Sequence, residues 1–204
     1  METLKICEIF YSISGEAPTV GKPAVFIRTS GCNKQCPWCD TQYHNTGVDL
    51  TLVEILEAVK KLTTKCKEII ITGGEPTIQK NISELIRFLR KHGYKIQIET
   101  NGSVMFPRAY NMCLIVCSPK LNNWVYDFRK YNKADVYKVV VDNEEQVLQA
   151  IDQFGTKSLY LMPRGATREE YLNNAPRVIE WCKEYNLRFS PREHVVVWDK
   201  ERGV

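Results

Sequence analysis

The chain has 204 residues, of which 44% are hydrophobic and 25% charged, enough for one ordinary core and too little for two, so one domain over 1–204 is expected. The formal charge of +4 comes from 28 basic and 24 acidic residues with no long block of either sign, which argues against a nucleic-acid tail or a polybasic membrane anchor. The opening METLKICEIFYSISGE lacks the basic region and apolar stretch of a signal peptide and is no transmembrane helix, so a cytoplasmic protein is expected.

Ala24–Arg28 reads as a strand. Leu52, Ile55, Leu56, Val59 and Leu62 recur at helical spacing after Thr51, an N-cap candidate with Glu54 three residues on, and predict a helix over about 51–65. The β-branched run Glu68–Thr72, closed by Gly73-Gly74, predicts a buried strand. Ile82, Leu85, Ile86 and Leu89 share a helical face over about 81–92, with Gly93 just past the end, and Tyr94–Glu99 follows as a strand. Cys113–Cys117, Tyr137–Val141 and Ser158–Met162 continue the strands, with helices near 143–154 and 169–185 and a last strand at Val195–Trp198. Asn122–Lys133 reads as an irregular insertion able to cover a site.

This alternation predicts an α/β fold with about six mainly parallel strands, short of the eight that close a full barrel, and hence a partial, open barrel. Ligands gather beyond the C-terminal strand ends in such sheets. The unusual segments fall there: Gly31-Cys32, Gly73-Gly74-Glu75-Pro76, Thr100-Asn101-Gly102 and Ser118-Pro119-Lys120.

Eight cysteines do not make a disulfide framework here, because such domains are short, secreted and loop-rich. Cys113 and Cys117 point to one face of a predicted strand, and Cys7, Cys66 and Cys182 lie alone beside apolar segments, so these five read as packing residues. Cys32, Cys36 and Cys39 crowd three thiols into eight residues and suit a metal. A [4Fe-4S] cluster held by three thiolates leaves one iron open. Zinc is the alternative, in a zinc-binding module completed by His44 or a distant cysteine.

The spacing C-x3-C-x2-C, followed by a GGEP loop, resembles the radical S-adenosylmethionine (SAM) enzymes. That resemblance implies a [4Fe-4S] cluster on Cys32, Cys36 and Cys39 whose open iron takes the amino and carboxylate groups of SAM. Reduction by a donor such as flavodoxin or ferredoxin then splits SAM and makes the 5′-deoxyadenosyl radical, which removes a hydrogen atom from the substrate. It also places Trp38, Asp40, Gly73, Gly74, Glu75, Ser118 and Lys120 at SAM, with Glu75 orienting its ammonium.

From Ile9 onward the chain is similar to the 7-carboxy-7-deazaguanine synthases of this superfamily. Their pattern of S-I-Q-G-E-G, F-x-R, C-D-T, TGGEP, ETNG and SPK is met by Ser12–Ala17, Phe26–Arg28, Cys39–Thr41, Thr72–Pro76, Glu99–Gly102 and Ser118–Lys120. The resemblance implies conversion of 6-carboxy-5,6,7,8-tetrahydropterin to 7-carboxy-7-deazaguanine with loss of ammonia, a step towards queuosine and other deazapurine nucleosides. It implies substrate contacts from Ile13, Ser14, Gly15, Glu16, Arg28, Thr72 and Val204, with Glu16 on the pterin N–H groups and Arg28 on its carboxylate. It further implies Mg²⁺ on Thr41, a homodimer, and no direct contact with nucleic acid or membrane. His194 reads equally as a pocket residue or a structural histidine.

Two positions depart from the pattern: Ser14 replaces a glutamine and Ala17 a glycine, so one pterin-reading amide is missing. A related pterin is therefore the alternative substrate. A glycyl-radical activase shares the cysteine spacing, but Glu16, Arg28 and Cys39-Asp40-Thr41 argue against it.

Overall fold

The computed structural model describes residues 2–37, 39–104, 112–120 and 134–204. Among them nine strands form one sheet in the order β3-β1-β2-β4-β5-β6-β7-β8-β9. The strands are β1 (Thr3–Ile13), β2 (Pro23–Thr29), β3 (Val48–Thr51), β4 (Glu68–Gly73), β5 (Lys95–Thr100), β6 (Leu114–Cys117), β7 (Val136–Val141), β8 (Leu159–Pro163) and β9 (Arg188–Phe189). Every pairing from β2 to β9 is parallel, whereas β1 runs antiparallel to both β2 and β3. Helices α1 (Leu52–Leu62), α2 (Ile82–Lys91), α3 (Glu144–Phe154) and α4 (Arg168–Glu184) supply crossovers between parallel strands, and α5 (Glu193–Trp198) ends the chain. The fold is the expected partial, open α/β barrel.

Local chemistry explains the boundaries. Thr51 and Glu54 form a reciprocal capping box at the start of α1. α2 buries Ile82, Leu85, Ile86 and Leu89, and Gly93 follows its end at φ 83°, a conformation open to a residue without Cβ. Ile69, Ile70 and Ile71 of β4 are all buried, because a central parallel strand is covered on both faces. One cluster packs α1 and α2 against β1, β2, β4 and β5, and a second packs α3 and α4 against β7 and β8. Cys117 and Cys182 belong to these cores and Cys113 packs against the first, as expected of packing cysteines.

Val195–Trp198 is not a strand. The Arg192 carbonyl accepts from the amides of both Val195 and Val196, so the run is part of helix α5. A short apolar run carries no period long enough to separate the two states. β1 and β3 were not anticipated, although Leu4 and Ile6, both buried, alternate with exposed Thr3 and Lys5. β9, two residues long, is too short to leave a pattern. The expected insertion at Asn122–Lys133 lies outside the described residues.

Ile71 is fully buried at the centre of the first cluster. Ile71→Ala should cost about 2–5 kcal/mol, read as a lower urea midpoint with unchanged slope.

Candidate active site

A cavity of about 840 Å³ opens at the C-terminal ends of the central strands. Its lining includes Cys32, Cys36, Cys39, Asp40 and Thr41 from the loop after β2, Thr72 and Gly73 at the end of β4 with Gly74 just beyond, and Ser118 and Lys120 after β6. Ile13, Ser14, Gly15 and Glu16 enter from the β1–β2 turn, Arg28 from the inner face of β2, and Val204 from the chain end. The topology thus brings the sequence-predicted residues to one space, with two exceptions. Trp38 lies outside the described residues. Glu75 is the other: its fully buried carboxylate faces away from the cavity and accepts from Thr77 N, Thr77 Oγ1, Thr100 Oγ1 and Asn101 N at 2.6–3.0 Å. Glu75 braces the end of β5 against the loop after β4.

Cys32, Cys36 and Cys39 are free, partly exposed thiols on one loop. The loop after β4 presses on it backbone to backbone: a Cβ on Gly74 would lie 2.1 Å from the Gly31 carbonyl oxygen and 2.8 Å from Cys32 Cβ. Burial pushes the Cys32 and Cys39 thiols above the ordinary range, so a metal binding there would displace their protons. Three soft donors facing one cavity fit an iron–sulfur cluster.

An ion network lines the same cavity. Lys138, 2% exposed, reaches inward from β7 and donates to Glu16 Oε2 at 2.5 Å and to Glu99 Oε2 at 2.8 Å. Arg192, preceding α5, donates through Nε to Glu16 Oε1 at 3.2 Å, and through its terminal nitrogens to the Gly165 carbonyl and the Asp40 carboxylate. Burial alone would raise the Glu16 carboxyl, but Lys138 and Arg192 overcome it and hold the group well below the usual carboxylate range. Asp40 is lowered in the same way: burial raises it most, and Arg192, His194 and Arg28 together overcome that. Glu99 moves the other way, because its burial outweighs Lys138. His194 lies 3.9 Å from Glu16, and burial holds its imidazole below its ordinary pKa and therefore neutral near pH 7. Arg28 donates to Glu8 at 2.6 Å and to Thr41 Oγ1 at 3.3 Å, and Thr41 donates to Asp40 Oδ1 at 3.1 Å.

Sequence reasoning passed over Lys138, Arg192 and Glu99 as site residues. For Lys138 the signal was present: an ammonium inside the β-branched run Tyr137–Val141, on a strand buried on both faces, must find a counter-charge there. Arg192 left no such mark, since its partners come from segments over 25 residues away in the chain.

Residues 26–189 match the model of the Radical SAM superfamily. The chain is 37% identical to the 7-carboxy-7-deazaguanine synthase of Rhodospirillum rubrum over 69% of its length and 59% of that protein's. With the enzyme of the same name from Aquifex aeolicus it shares 35% identity over 92% of this chain and 90% of the other. Among solved structures it is similar in fold to QueE from Escherichia coli, at a TM-score of 0.77 and 24% identity over 94% and 95% of the two chains. Three thiols and an ionised carboxylate lining one cavity and these relatives agree: the chain belongs to the 7-carboxy-7-deazaguanine synthases of the radical SAM superfamily.

Proposed function

We infer that this chain converts 6-carboxy-5,6,7,8-tetrahydropterin to 7-carboxy-7-deazaguanine with loss of ammonia, as its family membership implies. The observation that carries the reading is one cavity lined both by the three thiols and by Glu16, Arg28 and the ion network around them. Cys32, Cys36 and Cys39 would hold a [4Fe-4S] cluster, which with SAM supplies the 5′-deoxyadenosyl radical for hydrogen abstraction. A one-electron donor such as flavodoxin or ferredoxin serves it.

The chain's own residues bind and orient. Glu16, kept ionised by Lys138 and Arg192, offers an acceptor to the amino and ring N–H groups of the pterin, and Glu99 adds a second carboxylate on the same wall. Arg28, held by Glu8, turns its remaining guanidinium donors to the substrate carboxylate. The Thr41 hydroxyl beside Asp40 suits Mg²⁺, a hard ion that takes oxygen donors and keeps much of its water. Ser118 and Lys120 are assigned to SAM in this reading, and the Lys120 ammonium donates to the Ser118 carbonyl and hydroxyl at 2.9 and 2.8 Å. Val204 and Gly203 line the cavity from the chain end, and Arg202 anchors them by lying over the Tyr43 ring, 3.5 Å from its centroid.

The direct test is anaerobic turnover of reconstituted protein with SAM, reductant, Mg²⁺ and the tetrahydropterin, following 5′-deoxyadenosine and the deazapurine by mass spectrometry. Both products support the reading; deoxyadenosine alone moves the substrate to another pterin.

Cys36→Ala should abolish iron binding and the brown colour, whereas Cys182→Ala should keep both and lower only the melting temperature. Equal loss of iron from the two variants would overturn the sorting of the cysteines. Thr41→Ala should flatten the response of turnover to added Mg²⁺, and an unchanged Mg²⁺ titration removes Thr41 from the ion. Lys138→Met should destabilise the fold by about 3–5 kcal/mol at neutral pH, because two buried carboxylates lose their ammonium. In the wild type, Glu16 titrates lower folded than unfolded, so its contribution is complete above about 4.5 and is lost as pH falls below that value. In the variant the carboxyl titrates higher and is relieved by protonation, so the stability difference should shrink as pH falls from 7 towards 4.5. Urea titrations at the two pH values measure it.

A further inference from the structure

A chain of side-chain hydrogen bonds crosses the barrel interior from the β1–β2 turn to β5. Ser14 Oγ and Thr19 Oγ1 are 2.9 Å apart, Thr19 Oγ1 donates to Gln97 Oε1 at 2.9 Å, and Gln97 Nε2 donates to Glu99 Oε1 at 2.7 Å. The order of donors is set. Glu99 accepts from Lys138 on Oε2 and from the Gln97 NH₂ on Oε1, which leaves the Gln97 oxygen to Thr19. The single Thr19 proton is then committed to Gln97, so the proton in the 2.9 Å Ser14–Thr19 contact comes from Ser14, whose hydroxyl also lies 3.3 Å from the Glu16 carbonyl oxygen. Ser14 is 3% and Gln97 5% exposed, so bulk water does not compete for these bonds. Ile96 and Ile98, on the other face of β5, are buried in the hydrophobic core, which leaves Gln97 and Glu99 side by side on the inner face.

We propose that Gln97, oriented by Thr19 and Ser14, is the positioning residue for Glu99, and that this relay supplies in this chain the amide that position 14 lacks against the family pattern. The inference rests on the reading of the cavity as a pterin site. Glu99 has two fixed donors, Lys138 on Oε2 and Gln97 on Oε1, and between them they determine which way its carboxylate faces. Without Gln97, Oε1 is free to swing to the Lys138 ammonium, and the acceptor is withdrawn from the cavity.

The test uses holoenzyme carrying cluster, SAM and Mg²⁺ without reductant, titrated calorimetrically with 6-carboxytetrahydropterin, followed by turnover. Gln97→Leu should weaken binding about tenfold, the loss expected of one buried hydrogen-bonded orientation, with kcat falling less than affinity. Thr19→Val should weaken it in the same direction by less. Adding Ser14→Gln to Gln97→Leu should recover most of the affinity, because an amide returns to the site from the other end of the relay. Unchanged affinity in Gln97→Leu, or equal loss of affinity, kcat and melting temperature with no recovery on adding Ser14→Gln, overturns the relay. If Gln97→Leu does not fold, Thr19→Val decides alone, and wild-type affinity there overturns it. Wild-type holoenzyme that fails to bind the pterin overturns the functional reading itself, and the relay as a substrate device with it.

Discussion

The site depends on one buried ammonium. Lys138 sits between Glu16 and Glu99, and each of the three comes from a different part of the chain: β7, the β1–β2 turn and β5. An ammonium removed from water is costly, and only close opposite charge with complete hydrogen bonding makes its burial tolerable. That requirement draws the β1–β2 turn into the barrel interior. Arg192 extends the tie to the C-terminal segment and to the loop bearing the cysteines, through Glu16 and Asp40. Backbone bonds follow the same path, with Glu193 N donating to Gly15 O at 2.9 Å and Ala17 N to Ser190 Oγ at 3.0 Å. An open sheet thereby acquires a wall where a closed barrel would have further strands.

The cysteine loop is held by different physics. There the backbones are close, and Gly74 lies against Gly31 with no space for a side chain. Glu75 is spent as a brace, its carboxylate accepting from Thr77 in its own loop and from Thr100 and Asn101 at the end of β5. A cavity lined by soft thiols and by a charged hydrogen-bonding network combines two tasks. Radical generation needs an exposed metal site, while recognition of a polar heterocycle needs preorganised acceptors whose charge state does not follow the solvent pH. Lys138 and Arg192 meet the second need by keeping Glu16 ionised through the mildly acidic and neutral range.

The eight cysteines divide along the same lines. Cys117 and Cys182 are buried in apolar surroundings that push their thiols upward, and burial does the same to Cys113 beside the core. Such thiols pack and do not react. The three on the loop after β2 differ from them in facing a cavity together.

Local signals carried much of this protein into view. The capping box at Thr51, the apolar face of α2, the β-branched run of β4 and the spacing of Cys32, Cys36 and Cys39 are each written in contiguous residues, because helix caps, amphipathic faces and chelating loops are short-range physics. Motif resemblance added the cavity residues from Ile13 to Val204. What the tertiary structure alone decided are the pairings across the sheet. The valines before Trp198 became a helix through the Arg192 carbonyl, Glu75 turned inward as a brace, and Ser14 found Gln97 through Thr19. Lys138 and Arg192 found their carboxylates among residues as far as 122 and 176 positions away. The sequence by itself determined that β7 carried a charge in need of a partner. Which carboxylates answered it depended on how the sheet curves and what the open side lets in, and no local period encodes that distance.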